Sequence, residues 1–346
     1  MPYPGSRRVR WRWVNESARR HLGRCLVTGA GGFIGSHLVE ELLAQGHEVR
    51  ALVRYTSHGG RGWLEELDAE LLDQVEVVPG DVRDPDQMRR LAADCQTVFH
   101  LAALIGIPYS YDSPRQSLDT NAGGTLNLLE AARTTGVERF VHTSSSEVYG
   151  TAQYVPIDED HPLVGQSPYS ASKIAADQLV VSYARAFELP AVTVRPFNTF
   201  GPRQSMRAVI PTIIVQALWS DRIRLGALDT TRDFTFVRDT TGGLIAAAEA
   251  GGVEGGVYNL GCGEEISIGS LAATIQELVG RELPLEQQEV RMRPAASEVE
   301  RLLSDPSRAR GAFGWNPAHT LREGLSLTID WIRARGTTRS AEQFVV

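Results

Sequence analysis

Apolar residues recur in two alternating periods along the first two hundred positions. Residues 24–28 form a short, mostly apolar run that reads as a strand. Ile34, Leu38, Leu42 and Leu43 follow at helical spacing, and Gly46 supplies a stop. The same alternation predicts strands over 48–53, 75–79, 97–101, 139–143 and 191–195. Between them it predicts helices over 63–72, 85–93, 114–135 and 169–187. Strands separated by helices imply right-handed βαβ units, hence an α/β fold with a parallel sheet covered on both faces. Beyond residue 196 the pattern loosens. Pro196, Pro202 and Pro211 punctuate it, and helices are expected at 207–219, 239–250, 267–279 and 321–335. The expected division is a large domain over 22–198, with a returning segment near 236–262. A smaller lobe built from 199–235 and 263–335 closes over it. Residues 1–21 read as a basic extension and 336–346 as a tail.

Composition narrows the class. The 346 residues are 42% hydrophobic with a net charge of only −7, which excludes disorder along the whole chain. The longest apolar stretch, 208–219, is broken by Pro211, Thr212 and Gln216. A bilayer span needs ~20 nearly continuous apolar residues, so no transmembrane helix is expected. Cys25, Cys95 and Cys262 lie far apart with no CxxC. That fits reduced thiols in the cytoplasm, with neither a disulfide framework nor a metal site. Residues 1–24 hold seven Arg and one Glu, which leaves −13 on the rest of the chain. An acidic body argues against a nucleic-acid partner. Of 35 basic residues a single one, Lys173, is lysine. A compact ammonium there, where guanidinium is used everywhere else, marks a position with its own chemistry.

The turn after the first strand is Thr28-Gly29-Ala30-Gly31-Gly32-Phe33-Ile34-Gly35. Strand, glycine-rich turn and helix form the dinucleotide-binding arrangement, because glycines admit a pyrophosphate to backbone amides at a helix N-terminus. The expected fold is thus a Rossmann-type doubly wound parallel sheet with a smaller C-terminal substrate-binding lobe. The second strand ends at Arg54 rather than at an acid. A guanidinium there suits a 2′-phosphate, so the cofactor is NAD(P)+ with NADP+ favoured. Asp81 and Val82 end the third strand. Asp81 is placed to accept from the adenine amino group, or to cap the helix starting at Pro85.

Tyr169 and Lys173 stand at i and i+4, on one face of a predicted helix. A nearby ammonium favours phenolate and makes Tyr169 a base. Upstream, Ser145, Ser146 and Glu147 sit at the end of a strand, where ligands bind in such sheets. Ser145 can share a hydrogen bond with Tyr169 and a substrate hydroxyl. Glu147 can remove a proton α to a transient ketone. His100 reads as a satisfied strand-end histidine, and Trp315 and Trp331 as core.

Together the glycine turn, Phe99-His100-Leu101-Ala102-Ala103, Asn121, Ser144-Ser145-Ser146-Glu147-Val148-Tyr149-Gly150, the Tyr169/Lys173 pair and Arg195-Pro196-Phe197-Asn198 resemble the extended short-chain dehydrogenases/reductases. Within them the segment around Glu147 resembles the nucleotide-sugar 4,6-dehydratases. Gly201-Pro202-Arg203-Gln204-Ser205 and Thr231-Arg232-Asp233-Phe234-Thr235-Phe236 look most like those acting on nucleotide-linked N-acetylglucosamine. The resemblance implies that Leu101, Ala102, Ala103, Asn121 and Pro196 join Gly29, Gly32, Phe33, Ile34, Gly35, Arg54, Asp81, Val82, Tyr169 and Lys173 around a tightly retained, recycled cofactor. It implies that C4 of a UDP- or GDP-linked hexose is transiently oxidised while Tyr169 takes the hydroxyl proton. Glu147 then removes the C5 proton and water leaves from C6. Asn198, Arg203, Arg232 and Arg293 are the implied substrate contacts, and a homodimer the implied assembly. One departure stands out: related dehydratases on dTDP-glucose carry Asp where this chain has Ser146. UDP-glucuronate decarboxylases share the Glu147 segment, and 4-epimerases are near relatives. A non-catalytic NADP-binding sensor is the alternative of another class, and the intact Ser145, Tyr169 and Lys173 argue against it.

Overall fold

In the computed structural model, residues 20–291 and 299–336 are described. Arg293, residues 1–19 of the basic extension and residues 337–346 lie outside them. Seven strands make one parallel sheet: β1 (Cys25–Thr28), β2 (Val49–Arg54), β3 (Val75–Gly80), β4 (Thr97–His100), β5 (Arg139–Thr143), β6 (Ala191–Pro196) and β7 (Val257–Leu260), in the order β7-β6-β5-β4-β1-β2-β3. β1, β4, β5 and β6 are buried on both faces, which is why they read as apolar runs and not as alternating ones. Pro79 is tolerated because β3 is an edge strand.

Helices cover both faces. On one side α1 (Phe33–Ala44) packs Leu38 and Leu42 against Val27 and Val141 of the sheet. On the other, α2 (Pro85–Ala92), α3 (Gly124–Thr135) and α4 (Pro168–Phe187) bury Met88, Leu128 and Val180 over Leu26 and Phe140. α4 starts at a capping box between Ser167 and Ser170, with Pro168 in its first turn. α5 (Val237–Glu249) returns to the α1 face, and β7 follows it at the sheet edge. A separate apolar cluster joins Phe200, Ile213, Phe236, Ile275 and Ile329. Its elements include the helices Val209–Trp219 and Ile268–Val279 and α6 (Leu321–Arg335).

Two expected helices are broken, each for a visible reason. Residues 63–72 form a 3₁₀ turn, Gly62–Glu66, and a short helix, Ala69–Leu72. Trp63 N donates to Gly31 O at 2.9 Å, so this segment is stitched to the glycine turn. Gly62 has φ +64, and a Cβ there would lie 2.3 Å from Gly31 O. The Trp63 ring then meets Trp331 of α6 edge-on at 5.7 Å, and Arg335 lies over both rings and pairs with Glu66. Residues 114–135 are interrupted by a π turn, Asp119–Gly123, between Pro114–Leu118 and α3.

β1 pairs with β2 on one side and β4 on the other. Strand order reverses there, and the crevice beyond the strand ends at such a point is where α/β sheets take ligands.

Candidate functional site

That crevice is a cleft of about 880 Å³. One wall is the glycine turn. Gly29 has φ +71, and a Cβ on it would lie 2.9 Å from Ala102 N, so the β1 and β4 ends meet closely. Gly35 is equally constrained, since its Cβ would fall 2.2 Å from Gly29 O. Thr28 Oγ1 accepts from the backbone N–H groups of Leu101 and Ala102, each at 3.2 Å, and pairs with His100 Nδ1 at 2.8 Å. His100 Nε2 reaches Thr125 Oγ1 at 3.0 Å. Burial holds the imidazole well below its usual value, so His100 is a neutral, satisfied strand-end residue.

Gly32 caps α1 without a side chain, and the first turn of α1 holds no acid. The N-terminal amides on Phe33, Ile34 and Gly35 therefore meet no side-chain cap, and these residues line the cleft. An anionic diphosphate fits this donor set. Leu101, Ala102 and Ala103, close to Gly29, also line the cleft, as does Pro196.

At the other end lie Arg54, Thr56 and Arg61, with Asp81 and Val82. Arg83 grips the Asp81 carboxylate with Nε at 3.0 Å from each oxygen, which holds it below the usual carboxylate range. The α2 N-cap is Asp84, which accepts from Gln87 N at 2.9 Å. Asp81 is thus not the cap and stays on the cleft wall. Asn121 lies behind the wall. Its Oδ1 accepts from Leu104 N at 2.8 Å, while Nδ2 donates to Leu104 O and Ser172 Oγ at 3.1 and 2.9 Å. The π turn sets that direction, so Asn121 ties a cleft loop to α4 and does not line the cleft.

The reacting end combines β5, a 3₁₀ turn and α4. The turn, Ser146–Tyr149, is capped by Ser145, whose Oγ accepts from Glu147 N at 3.2 Å and is also hydrogen-bonded to Tyr169. Ser145 and Glu147 are half-buried, Ser146 is buried, and all three line the cleft with Tyr169 and Lys173. Lys173 Nζ donates to Thr143 O at 2.8 Å. Tyr169 departs from the expectation of a phenol made acidic by Lys173. Burial pushes it up to about 12, the Ser145 hydrogen bond opposes, and the Glu147 carboxylate adds to the rise. Burial pushes Lys173 down to about 8. Asn198 also lines the cleft, with its Oδ1 buried and unpartnered.

The arginines divide. Arg203 borders the cleft, but its Nη1 is 3.0 Å from Glu40 Oε2 of α1 and 3.4 Å from Ser36 Oγ. Its φ of +68 is unusual for a non-glycine and is held by a loop docked on α1, where Pro202 O meets His37 Nε2 at 3.0 Å. Arg232 is buried away from the cleft, with Nη1 donating to Thr231 O at 2.9 Å. Lining residues not among the candidates from sequence include Thr56, Arg61, Trp63, Thr143 and Gln204, the last with Oε1 buried and unpartnered. The Gly59, Gly60 and Gly62 cluster is the available signal for the Trp63 loop. Among the described residues no His, Cys, Asp and Glu cluster could hold a metal, and no helix is long and apolar enough to cross a membrane.

A family model described as GDP-mannose 4,6 dehydratase matches residues 26–328. A UDP-glucose 4-epimerase of Mycolicibacterium smegmatis is 38% identical, covering 90% of this chain and 98% of its own. A UDP-N-acetyl-alpha-D-glucosaminuronate decarboxylase of Bacillus cytotoxicus is 32% identical, covering 90% and 98%. The solved dTDP-glucose 4,6-dehydratase DesIV of Streptomyces venezuelae, with NAD bound, superposes with a TM-score of 0.80 at 30% identity, covering 90% and 97%.

Proposed function

Because the chain belongs to the nucleotide-sugar epimerases and dehydratases of the extended short-chain dehydrogenase/reductase family, we propose that it is a nucleotide-sugar 4,6-dehydratase. The observation that carries this reading is the Glu147 carboxylate, which shares a cleft wall with Tyr169 and is near enough to raise its phenol. A carboxylate so placed can take a C5 proton once C4 is a ketone. Bound NAD(P)+ would take the C4 hydride and deliver it to C6 once water has left, so the sugar keeps its 4-ketone and the cofactor ends oxidised. Tyr169 Oη, steadied by Ser145, takes the C4 hydroxyl proton, which passes on to solvent because O4 stays a carbonyl oxygen in the product. Lys173 holds positive charge beneath them. Ser146 is a weak acid, so Glu147 carries the C5 proton across to the leaving C6 hydroxyl, and a proton from solvent restores C5 when C6 is reduced.

The proposed substrate is a UDP- or GDP-linked N-acetylglucosamine or related hexose. Residues 199–235 and 263–335 are its proposed lobe, with Asn198 and Arg203, which line the cleft, as its contacts. Arg203 reaches a diphosphate by leaving Glu40. A homodimer is proposed through Pro114–Leu118, α3 and α4, supported by exposed Leu118 and Leu126. The cytoplasm is the proposed compartment.

Anaerobic incubation with a panel of nucleotide sugars, read by mass spectrometry, tests the reading. The expected result is loss of one water from a single hexose with no added reductant. Loss of carbon dioxide from UDP-glucuronate would move the assignment to a decarboxylase. Unchanged mass with an inverted C4 by NMR would favour the 4-epimerase, the second reading, which the 38% identity to a UDP-glucose 4-epimerase supports.

NADP+ is the proposed cofactor, on the strength of Arg54 with Thr56 and Arg61 at the β2 end. Arg54→Ala is expected to weaken NADP+ binding about ten- to a hundredfold, from the ~1.5–3 kcal/mol of a hydrogen bond to a charged group. NAD+ binding should change little. Calorimetric titration with both dinucleotides checks this, and equal losses would remove the preference.

A further inference from the structure

Beneath the cleft lies a buried ionic layer that the proposed reaction does not use. Asp177 follows Lys173 by one turn on α4, and both are buried. Asp177 Oδ2 is 3.0 Å from Arg195 Nε and 3.0 Å from Nη2, and Oδ1 is 3.3 Å from His142 Nε2. Arg195 Nη1 donates to Tyr149 Oη at 2.9 Å and lies 4.9 Å from the ring centre. Tyr149 Oη donates to Asn259 Oδ1 at 2.7 Å. The layer therefore runs from the Lys173 turn of α4 to the 3₁₀ turn that carries Glu147.

Stability alone does not account for it. Apolar side chains of similar volume generally hold a core as well as a buried ion pair does. A fully buried amine, by contrast, tends to lose its proton unless a carboxylate faces it. The groups around Lys173 come from five elements. α4 supplies Tyr169 and Asp177, β4 His100, β5 His142 and β6 Arg195, while Glu147 faces Tyr169 from the 3₁₀ turn. Both histidines are held below their usual range by burial and by the Lys173 charge, so they are neutral at pH 7. Arg195 sits on the Asp177 oxygen that His142 does not face. Asp177 is the group that opposes the loss of the Lys173 proton.

We propose that Asp177 is a positioning residue that keeps the Lys173 amine charged and, through Arg195 and Tyr149, fixes it relative to the Glu147 turn. Only the effect on turnover rests on the dehydratase reading. The titration of the amine does not.

The chain offers a direct test, because Lys173 is its single lysine. The full-length protein labelled with [15N]lysine gives one side-chain amine signal, whose midpoint is followed against pH. The expected wild-type midpoint is near 8. Asp177→Asn should lower it by about one unit, the effect of removing an opposite charge one helical turn away. Asp177→Glu should restore most of the difference. An amine that works as an ammonium is active below its midpoint and fails as pH rises through it. The alkaline limb of kcat should therefore move to lower pH in Asp177→Asn, with KM for the nucleotide sugar little changed.

A midpoint unmoved in Asp177→Asn overturns the proposal. If that variant does not fold, the wild type decides, because a midpoint below about 7 would show the amine to be buried without an effective counter-charge. If no sugar is dehydrated but the midpoints behave as stated, the dehydratase reading fails and the role of Asp177 stands.

Discussion

Glu147→Gln is expected to oxidise its sugar at C4 and then stall, with dehydration slowed by roughly 10²–10⁴-fold, the usual worth of a positioned acid–base group. The amide keeps the size of the carboxylate and the N–H bond from Glu147 to Ser145 Oγ, which is a backbone contact. The 3₁₀ turn should therefore persist, anchored by buried Val148 and Tyr149. What is lost is the capacity to accept a C5 proton. Two measurements read this: deuterium uptake at C5 from heavy water, and water loss by mass spectrometry. Both should collapse while absorbance of the reduced cofactor still rises on adding substrate. Dehydration within a few-fold of wild type would sink the role given to Glu147. A 4-epimerase would also be nearly indifferent to the change, so the same variant separates the two enzyme readings.

Tyr169→Phe should remove turnover altogether, by at least the same factor, because every reading within this family begins with the C4 hydroxyl proton. The ring stays, so its burial is unchanged and the protein should fold. Ser145 loses one hydrogen-bond partner, at a cost of about 1 kcal/mol. Cofactor content measured after denaturation should match wild type. The phenol sits at about 12 in the chain by itself, so it is protonated at neutral pH. Positive charge brought beside it favours phenolate, and an oxidised nicotinamide carries such a charge. Base strength at Tyr169 is thus expected to depend on the loaded site more than on Lys173, whose Nζ is engaged with Thr143 O. A Tyr169→Phe variant that still turned over at about a tenth of the wild-type rate, far above the loss expected for a missing acid–base group, would remove Tyr169 from the chemistry.

Much of the sheet can be read from the chain because it is built from local signals. β1, the glycine turn and α1 follow one another within twenty residues, and the turn requires glycine for reasons internal to itself. The Tyr169 and Lys173 pairing needs nothing beyond helical periodicity. The misreadings share another origin. The helix expected over 63–72 gives way to a contact with Gly31, in the turn that precedes α1. The family resemblance implies Asn121 as a cofactor contact, yet a π turn points its amide at Leu104 and Ser172. For Arg203 and Arg232, charge is the only feature a sequence displays. Their pairing with Glu40 and with strand carbonyls is a tertiary fact that no local pattern carries. Helical spacing puts Tyr169 on the right face, but it does not report the burial that raises its phenol.

The contact of Trp63 with Trp331 and Arg335 has a consequence for how the protein is made. Glu66 and Arg335 are 269 positions apart, yet they pair at the rim of the dinucleotide cleft. At a synthesis rate of about 5–20 residues per second, the glycine turn leaves the ribosome tens of seconds before the helix that braces its neighbouring loop. A nascent chain can pair β1 with β2 early, but the finished rim waits for α6. A ribosome stalled before α6 would accordingly hold a sheet with an unbraced cleft.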